Sequence, residues 1–600
     1  MIQGMISGMT PTVSMASRGG EWLTTDRPAA AIGTPERLGE DHRLIRQTAT
    51  EFVTAEVAPA LNELEQKKWS RARDLVRRAG ELGLLGTDVP ESVGGIGLDK
   101  AASIVVGEAV GACPAFATTF GAQTGLAIIP ILCFGTPEQR ERYLPRIVSG
   151  ELVGAYCLSE SGSGSDALGA RTRATRQADG SWLLNGEKMW TTNGGFADVF
   201  IVFAKVDGEQ FSAFIVERGF PGVASGHEEH KMGLDGSSTT PLVLTDARVP
   251  ATNLLGEVGK GHKIAFNVLN YGRFKLAGMC TGSAKTVVGE AAAYALSRRQ
   301  FGQPIASFGA IRHKLAEMTT RLYVVESMLY RTAGLIDAAI GTAGDDSAVV
   351  LAALEEFAIE SSILKVAGSE MIGFVVDENV QIHGGNGFVR DYPAERHYRD
   401  ARVDRIFEGT NEINRLLVPS MLVKRALKGG LPLITAAKAL MDEVLAPRAP
   451  RASAGADEPI AHARATVAAV KKTALLVLGS ALRQYGESLS DEQEVVMLAS
   501  DVVSEAFAAE SAVLRAEAAA VTDVARASLH VDAASVAAHD GGLRAEVSAR
   551  TALAHLADGD ERRVLLSALR RLLKVEPVDT IGARRRLADA ISSRRGYLFA

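Results

Sequence analysis

The spacing of apolar residues divides this chain into textures. Between about Pro35 and Gly150 apolar positions recur at helical spacing. Leu44, Ile45 and Phe52 form one such pattern. Leu75, Leu82, Leu84 and Leu85 form another, which ends at Gly86 and a turn cluster from Pro90 to Gly97. Thr136 followed by Pro137 predicts a capped helix start. From about Val153 to Pro250 the texture becomes strand-like. Phe200–Val206, Phe211–Val216 and Leu242–Leu244 are short β-rich runs, and Asp179-Gly180, Asn185-Gly186 and Asn193-Gly194 are expected as turns. The helical period returns from Lys260 to Arg425, with long segments at Phe266–Ala295, Ile311–Ala339 and Ala348–Ile382. A Pro- and Ala-rich stretch, Ala446–Pro459, predicts a linker. An Ala-rich helical region follows, with breaks expected at Asp540-Gly-Gly and Asp558-Gly-Asp.

The expected fold is mainly α with an inserted β domain. The expected boundaries are a frayed or disordered tail at 1–34, a helical domain at 35–152, a β domain at 153–255, a helical bundle at 256–428 and an additional helical domain at 429–600. A length of 600 residues accommodates that many units at about 150 residues each.

Composition adds exclusions. A net charge of −6 argues against a general nucleic-acid binder. Arg584-Arg-Arg586 and Arg594-Arg595 are expected to be solvated helix faces. Cys113, Cys133, Cys157 and Cys280 are scattered, which favours reduced thiols and gives no support for a structural metal. Met1–Arg27 has neither the basic start and apolar core of a signal peptide nor the Arg-rich character of a transit peptide. Apolar runs such as Ala127–Phe134 are too short to span a bilayer, so no integral membrane segment is expected. A cytoplasmic, bacterial-type protein is the expectation, ahead of a mitochondrial matrix one.

The candidate chemistry centres on Arg405–Ile413. Ile406 and Phe407 are expected to bury. Thr410 or Asn411 can cap the helix carrying Ile413, Leu416 and Leu417. Glu408 then lies on a short Gly-hinged loop beside an apolar wall, where lost solvation raises a carboxylate's pKa toward that of a useful base. A surface Glu favoured by a helix N-terminus reads the same by itself. Gly162-Ser-Gly-Ser-Asp-Ala167 fits a dinucleotide fingerprint formally, but strand-like residues follow it, so the nicotinamide reading is rejected. Gln381–Gly387 is either a helix end with a turn or a backbone that approaches a phosphate.

Six segments in order resemble the acyl-CoA dehydrogenase family. They are Ala155–Asp166, Asn185–Gly195, Lys231-Met-Gly-Leu, Arg298-Arg-Gln-Phe-Gly302, Gln381–Phe388 and Phe407-Glu-Gly-Thr-Asn411. Asn267–Phe274 and the long C-terminal extension are most similar to its very-long-chain branch. The resemblance implies FAD and α,β-dehydrogenation of a fatty acyl-CoA to the trans-2-enoyl-CoA, the first step of β-oxidation. It also implies a long-chain substrate, electrons passed to an electron-transfer flavoprotein, and a homodimer. An acyl-CoA oxidase and a non-catalytic assembly member are the alternatives.

By motif position Glu408 is the base. The alternative base site of some branches falls on Gly272. Arg273 is implied near the base and substrate, or in a buried ion pair. Tyr156, Leu158 and Ser159 match positions lining the flavin ring. Trp190 and Thr192 match its other edge; core packing for Trp190 and an ordinary strand position for Thr192 are the alternatives. Ser165 and Gly409 match substrate contacts, with Ser165 also beside the cofactor. Arg298, Gln300 and Phe301 match flavin-diphosphate contacts. Gln381, Gly384 and Gly385 match an adenosine-side loop from the neighbouring subunit, and Thr410 and Glu412 match further flavin contacts. No metal is implied.

Overall fold

The computed structural model describes residues 17–344, 346–445 and 459–599. Three helix-rich regions and one sheet domain follow one another along the chain. The first runs from Glu40 to Val148 and includes the helices Trp69–Glu81, Lys100–Gly111 and Pro137–Val148. Thr136 caps the last of these with a capping box shared with Gln139, as its sequence signature requires. Leu44 departs from the expected pattern and is exposed, while Ile45 and Phe52 bury.

The middle domain comprises β1 (Gly154–Cys157), β2 (Arg173–Arg176), β3 (Trp182–Thr192), β4 (Val199–Val206), β5 (Gln210–Glu217), β6 (Val223–Ser225), β7 (Thr239–Val249) and β8 (Leu254–Leu255). The sheet order is β6-β7-β3-β2-β4-β5-β8, with β1 parallel to β4. Asn185-Gly186 is not a turn. It lies inside β3 at a bulge, where Gly186 takes φ 151° against Thr172. A Cβ there would meet the Thr172 backbone at 2.8 Å, so glycine serves close approach rather than chain reversal.

The helices Gly261–Ser297, Gly309–Ile340, Ala358–His383 and Asn411–Leu427 form the second helix-rich region. The extension adds Leu433–Leu445, Pro459–Tyr485, Gln493–Thr522, Ala527–Leu556, Gly559–Leu572 and Thr580–Arg594. The expected linker falls almost wholly outside the described residues; Pro459 already opens a helix. Asp558-Gly559 breaks the chain between helices, but Asp540-Gly-Gly does not. Gly541 and Gly542 stay helical because neighbours crowd them: added Cβ atoms would meet Glu505 Oε2 at 2.8 Å and Thr466 Cγ2 at 2.9 Å.

The extension packs on its own chain. Val496, Val502, Val503 and Phe507 are buried. Arg331 pairs with Glu510 at 2.7 Å, and Arg584 pairs with Glu317 at 2.6 Å. Arg584 is therefore buried in a docking contact and not solvated as expected. Residues 17–34 are likewise not frayed. Trp22 is buried, its ring 4.8 Å from that of Phe507, and its Nε1 donates to Glu360 Oε1 at 2.8 Å. The tryptophan supplies the apolar area that anchors this segment. Two helical stretches, Pro114–Phe134 and Pro459–Asp491, are long and apolar enough to cross a membrane, yet 78% and 72% of their apolar windows are buried inside the fold.

Candidate active site

The candidate catalytic loop is built by two successive left-handed residues. Glu408 has φ 58° and Gly409 has φ 79°. A non-glycine residue held there is strained and persists only where its surroundings over-determine it. They do so here. Arg273 Nε donates to the Glu408 carbonyl at 3.1 Å. The buried Asn414 Nδ2 donates to the carbonyls of Gly409 at 2.9 Å and Thr410 at 3.0 Å. Thr410 Oγ1 accepts from the Ile413 amide and caps the helix Asn411–Leu427. Thr410 is thus the cap, and Asn411 is the first helical residue. Ile406 is exposed and Phe407 half-buried, against the expectation that both bury, because the loop turns the Glu408 side chain inward instead.

Glu408 Oε2 is withdrawn from solvent and makes no hydrogen bond within the chain. Burial pushes its carboxyl up to about 7, against the opposing charges of Arg273 and Lys365. A Cβ at Gly272 would stand 2.6 Å from Oε2. The missing side chain at 272 therefore creates the space the carboxylate occupies. Arg273 is buried, and its guanidinium binds the Glu408 backbone and Asn270 Oδ1, not the carboxylate. It holds the loop while placing a positive charge nearby.

The β side adds Tyr156, on β1. Its Oη is buried without a partner, and burial, then the nearby Glu408 charge, push the phenol well above its ordinary value. The Ser159 carbonyl accepts from the Met189 amide at 2.9 Å, and Lys188 Nζ binds the Leu158 carbonyl at 3.2 Å and Glu160 at 2.6 Å. Pairing of β3 with β7 is interrupted between Lys188 and Thr191. There Trp190 takes φ 54° and stays 57% exposed, so it is no core residue. Thr192 rejoins the ladder opposite Thr239 and is half-buried. Ser165 is exposed on the turn after Glu160, and Glu412 is exposed on the first turn beyond Thr410.

The remaining sequence candidates gather elsewhere. Arg298, Gln300 and Phe301 lie on a hairpin that follows the helix Gly261–Ser297. Gln381, Gly384 and Gly385 end the helix Ala358–His383 beside it; the Tyr294 ring stacks on His383 at 4.0 Å and Asn386 donates to Tyr294 Oη at 3.1 Å. Phe301 and Phe388 are 93% and 86% exposed. At about 1.5 Å per residue, the helix carries Arg298 roughly 39 Å from Gly272. One chain therefore does not bring this cluster to Glu408.

Two contributors were not picked out from the sequence. Lys365 is fully buried and donates to Asn411 Oδ1 at 2.7 Å; burial lowers its ammonium to about 8. Asn414 fixes the loop carbonyls. Their signal is a lone Lys inside the apolar run Ile363-Leu364-Lys365-Val366 and a polar residue on a buried helix face. Among the described residues no group of His, Cys, Asp and Glu could hold a metal ion.

Comparison with known proteins matches this architecture part by part. Models of the acyl-CoA dehydrogenase N-terminal, middle and C-terminal domains match residues 39–151, 155–247 and 259–422. A further acyl-CoA dehydrogenase C-terminal domain model matches 469–571. A probable acyl-CoA dehydrogenase of Bacillus subtilis (strain 168) is 49% identical over 442 residues, 73% of this chain and 74% of that one. The very long-chain specific acyl-CoA dehydrogenase of Macaca fascicularis is 40% identical over 394 residues, 62% of this chain and 58% of that protein's length. The crystal structure of an acyl-CoA dehydrogenase complexed with FAD from Bacillus anthracis superposes with a TM-score of 0.94 at 46% identity, covering 97% of this chain and 100% of that one. With its three core domains and its extension all accounted for, this chain belongs to the acyl-CoA dehydrogenase family.

Proposed function

We propose that the chain is an FAD-dependent acyl-CoA dehydrogenase in which Glu408 removes the α-proton of a fatty acyl-CoA thioester. The single observation that carries this reading is the Glu408 carboxylate: its Oε2 is withdrawn from solvent and unpartnered, a strained loop holds it, and its pKa is raised to about 7. A general base works best when its pKa lies near the operating pH.

The β side fits a planar guest. Trp190 stands exposed at a bulge, Tyr156 Oη is buried and unsatisfied, and a Cβ at Gly162 or Gly164 would meet nothing within 4 Å. Tyr156, Leu158, Ser159, Trp190 and Thr192 would hold the flavin ring, with Thr410 and Glu412 at its margin. FAD, when bound, supplies the acceptor for the hydride leaving the β-carbon. Glu408 takes the α-proton, so one proton and one hydride leave and a trans-2 double bond forms. By the resemblance, the backbone N–H of Glu408 meets the thioester oxygen, where negative charge develops. Ser165 and Gly409 line the substrate side. The very-long-chain relatives support a long-chain substrate, and the bacterial relative supports a cytoplasmic setting; an electron-transfer flavoprotein is the acceptor that the resemblance implies.

The separation of the two clusters supports a homodimer. Arg298, Gln300 and Phe301 follow their helix at roughly 39 Å from Gly272, and Gln381, Gly384 and Gly385 end a second helix beside them. A second copy would bring its own cluster to the FAD of the first, covering Phe301 and Phe388. The test is direct. Purified protein should be yellow and release FAD on denaturation. Acyl-CoA of increasing chain length should bleach the flavin anaerobically without a nicotinamide. A colourless protein that cannot be reconstituted with FAD, or a flavin that no acyl-CoA reduces, overturns the reading.

A further inference from the structure

We propose that the C-terminal extension helps to position the catalytic base, through a hydrogen-bonded chain that runs from Asp501 through Arg415, Glu370 and Asn411 to Lys365. This rests on the assignment of Glu408 as the base.

Each link is a short, directed contact. Asp501 lies on the extension helix Gln493–Thr522 and accepts from Arg415 Nε at 2.7 Å. Arg415 lies on the helix that starts immediately after the catalytic loop, and its Nη1 and Nη2 grip Glu370 at 2.7 and 3.0 Å. Glu370 Oε1 also accepts from Asn411 Nδ2 at 3.1 Å. Asn411 Oδ1 accepts from Lys365 Nζ at 2.7 Å and from Ser369 Oγ at 3.1 Å. The chain thus spans the extension helix, the helix Asn411–Leu427 and the helix Ala358–His383.

An isolated surface pair would not support such a role. This chain differs in three respects. Arg415 is forked onto one carboxylate while its third nitrogen holds another, a geometry that fixes the guanidinium plane. The chain becomes fully buried as it nears the loop, since Asn411 is 3% and Lys365 0% exposed. It also passes through Asn411, on the first turn of the helix whose Asn414 holds the carbonyls of Gly409 and Thr410. Glu408 and Gly409 both occupy left-handed backbone, so the loop depends on its neighbours to stay there. Asp501 and Arg415 are positioning residues; neither is placed against substrate or cofactor. The ammonium of Lys365 interacts electrostatically with Cys280, Asp404, Glu408 and Arg273, so displacing Asn411 would strip a hydrogen bond from a buried charge near the base.

The test uses the FAD-loaded, full-length protein. Asp501→Ala, Arg415→Gln, the double variant and Glu408→Gln are compared for the limiting rate of flavin reduction, acyl-CoA affinity and amide hydrogen exchange at 408–415. A small misplacement of a reacting group costs up to about 100-fold in rate. Arg415→Gln should lower the limiting rate by about 10- to 100-fold and Asp501→Ala by about 3- to 10-fold, with affinity held within about twofold. Exchange at 408–415 should quicken in both, and the double variant should fall no further than Arg415→Gln alone. Arg483→Gln, which breaks an exposed pair inside the extension, should leave rate and exchange unchanged. If Arg415→Gln does not fold, Asp501→Ala decides. A folded Asp501→Ala with the normal limiting rate, or with a slower rate but unchanged exchange at 408–415, overturns the proposal. Retained reduction in Glu408→Gln would instead sink the assignment of the base, while the exchange data still report whether Asp501 holds the loop.

Discussion

Two glutamates of the C-terminal helical region, each with a carboxyl oxygen withdrawn from solvent, behave oppositely. Glu326, on the helix Gly309–Ile340, is fully buried and paired with Lys285 at 2.6 Å and Arg515 at 2.7 Å. Tyr597 Oη donates to it at 2.6 Å. Burial alone would raise its carboxyl, but Lys285 and Arg515 prevail and bring it down to about 2. Glu408 has two cations in its vicinity, but its carboxylate hydrogen-bonds to neither, and its carboxyl rises to about 7. Burial is common to both. The partner set decides which carboxylate cements the extension to the bundle and which is left reactive.

The comparison can be broken at either end. The largest effect belongs to Glu408→Gln, which should keep the fold and bound FAD while flavin reduction by acyl-CoA falls by roughly 10²- to 10⁴-fold. Stopped-flow absorbance measures it, and near-normal reduction would dissolve the distinction. Glu326→Gln should do the reverse. It leaves Lys285 and Arg515 buried with one fewer counter-charge, so stability should drop by about 3–5 kcal/mol in chemical denaturation while the folded fraction still reduces flavin normally. The sign follows from a depressed folded pKa. The contribution of Glu326 is complete above its ordinary value of 4.5 and is lost as pH falls toward about 2.

Gly272→Ala sharpens the contrast from the side of space rather than charge. The new Cβ would meet Glu408 Oε2 at 2.6 Å and displace the base. The rate should fall by about 10- to 100-fold. Alanine favours a helix interior over glycine by about 0.5–1 kcal/mol, so the melting temperature should hold or rise. A loss of stability without loss of rate would contradict the fit at 272. The smallest effect is expected from Lys365→Met. Removing a nearby cation should raise the apparent pKa of the reductive step, since Lys365 now holds the Glu408 carboxyl down.

The order of helical, β and helical regions was legible because hydrophobic periodicity reports which face of an element is covered. Glu408, Thr410 and the cluster at Gln381–Gly385 stand out as candidates because a short motif carries each. Misreadings arose where a residue has two physical uses. Gly186, Gly541 and Gly542 suggested turns or breaks, yet each permits close packing inside a regular element. Leu44 and Ile406 are apolar and exposed, because local pattern does not tell which faces find a partner. Trp22 and Arg584 went unrecognised as anchors because their partners, Glu360 with Phe507 and Glu317 with Asp540, lie far away in sequence. The same distance hid Lys365: a buried ammonium is identified by the groups around it, and those come from three different elements.

The central claim is that Glu408 is a base tuned by burial. The pH dependence of acyl-CoA-driven flavin reduction tests it most directly, followed in single turnover from about pH 5.5 to 9 in the wild-type chain and in Glu408→Gln. The account predicts a rate that climbs as pH rises through an apparent pKa near 7, set by the carboxyl that burial holds at about 7, and a residual rate without that rise in the variant. A wild-type rate independent of pH across this range, or a variant that retains the same climb, would contradict it.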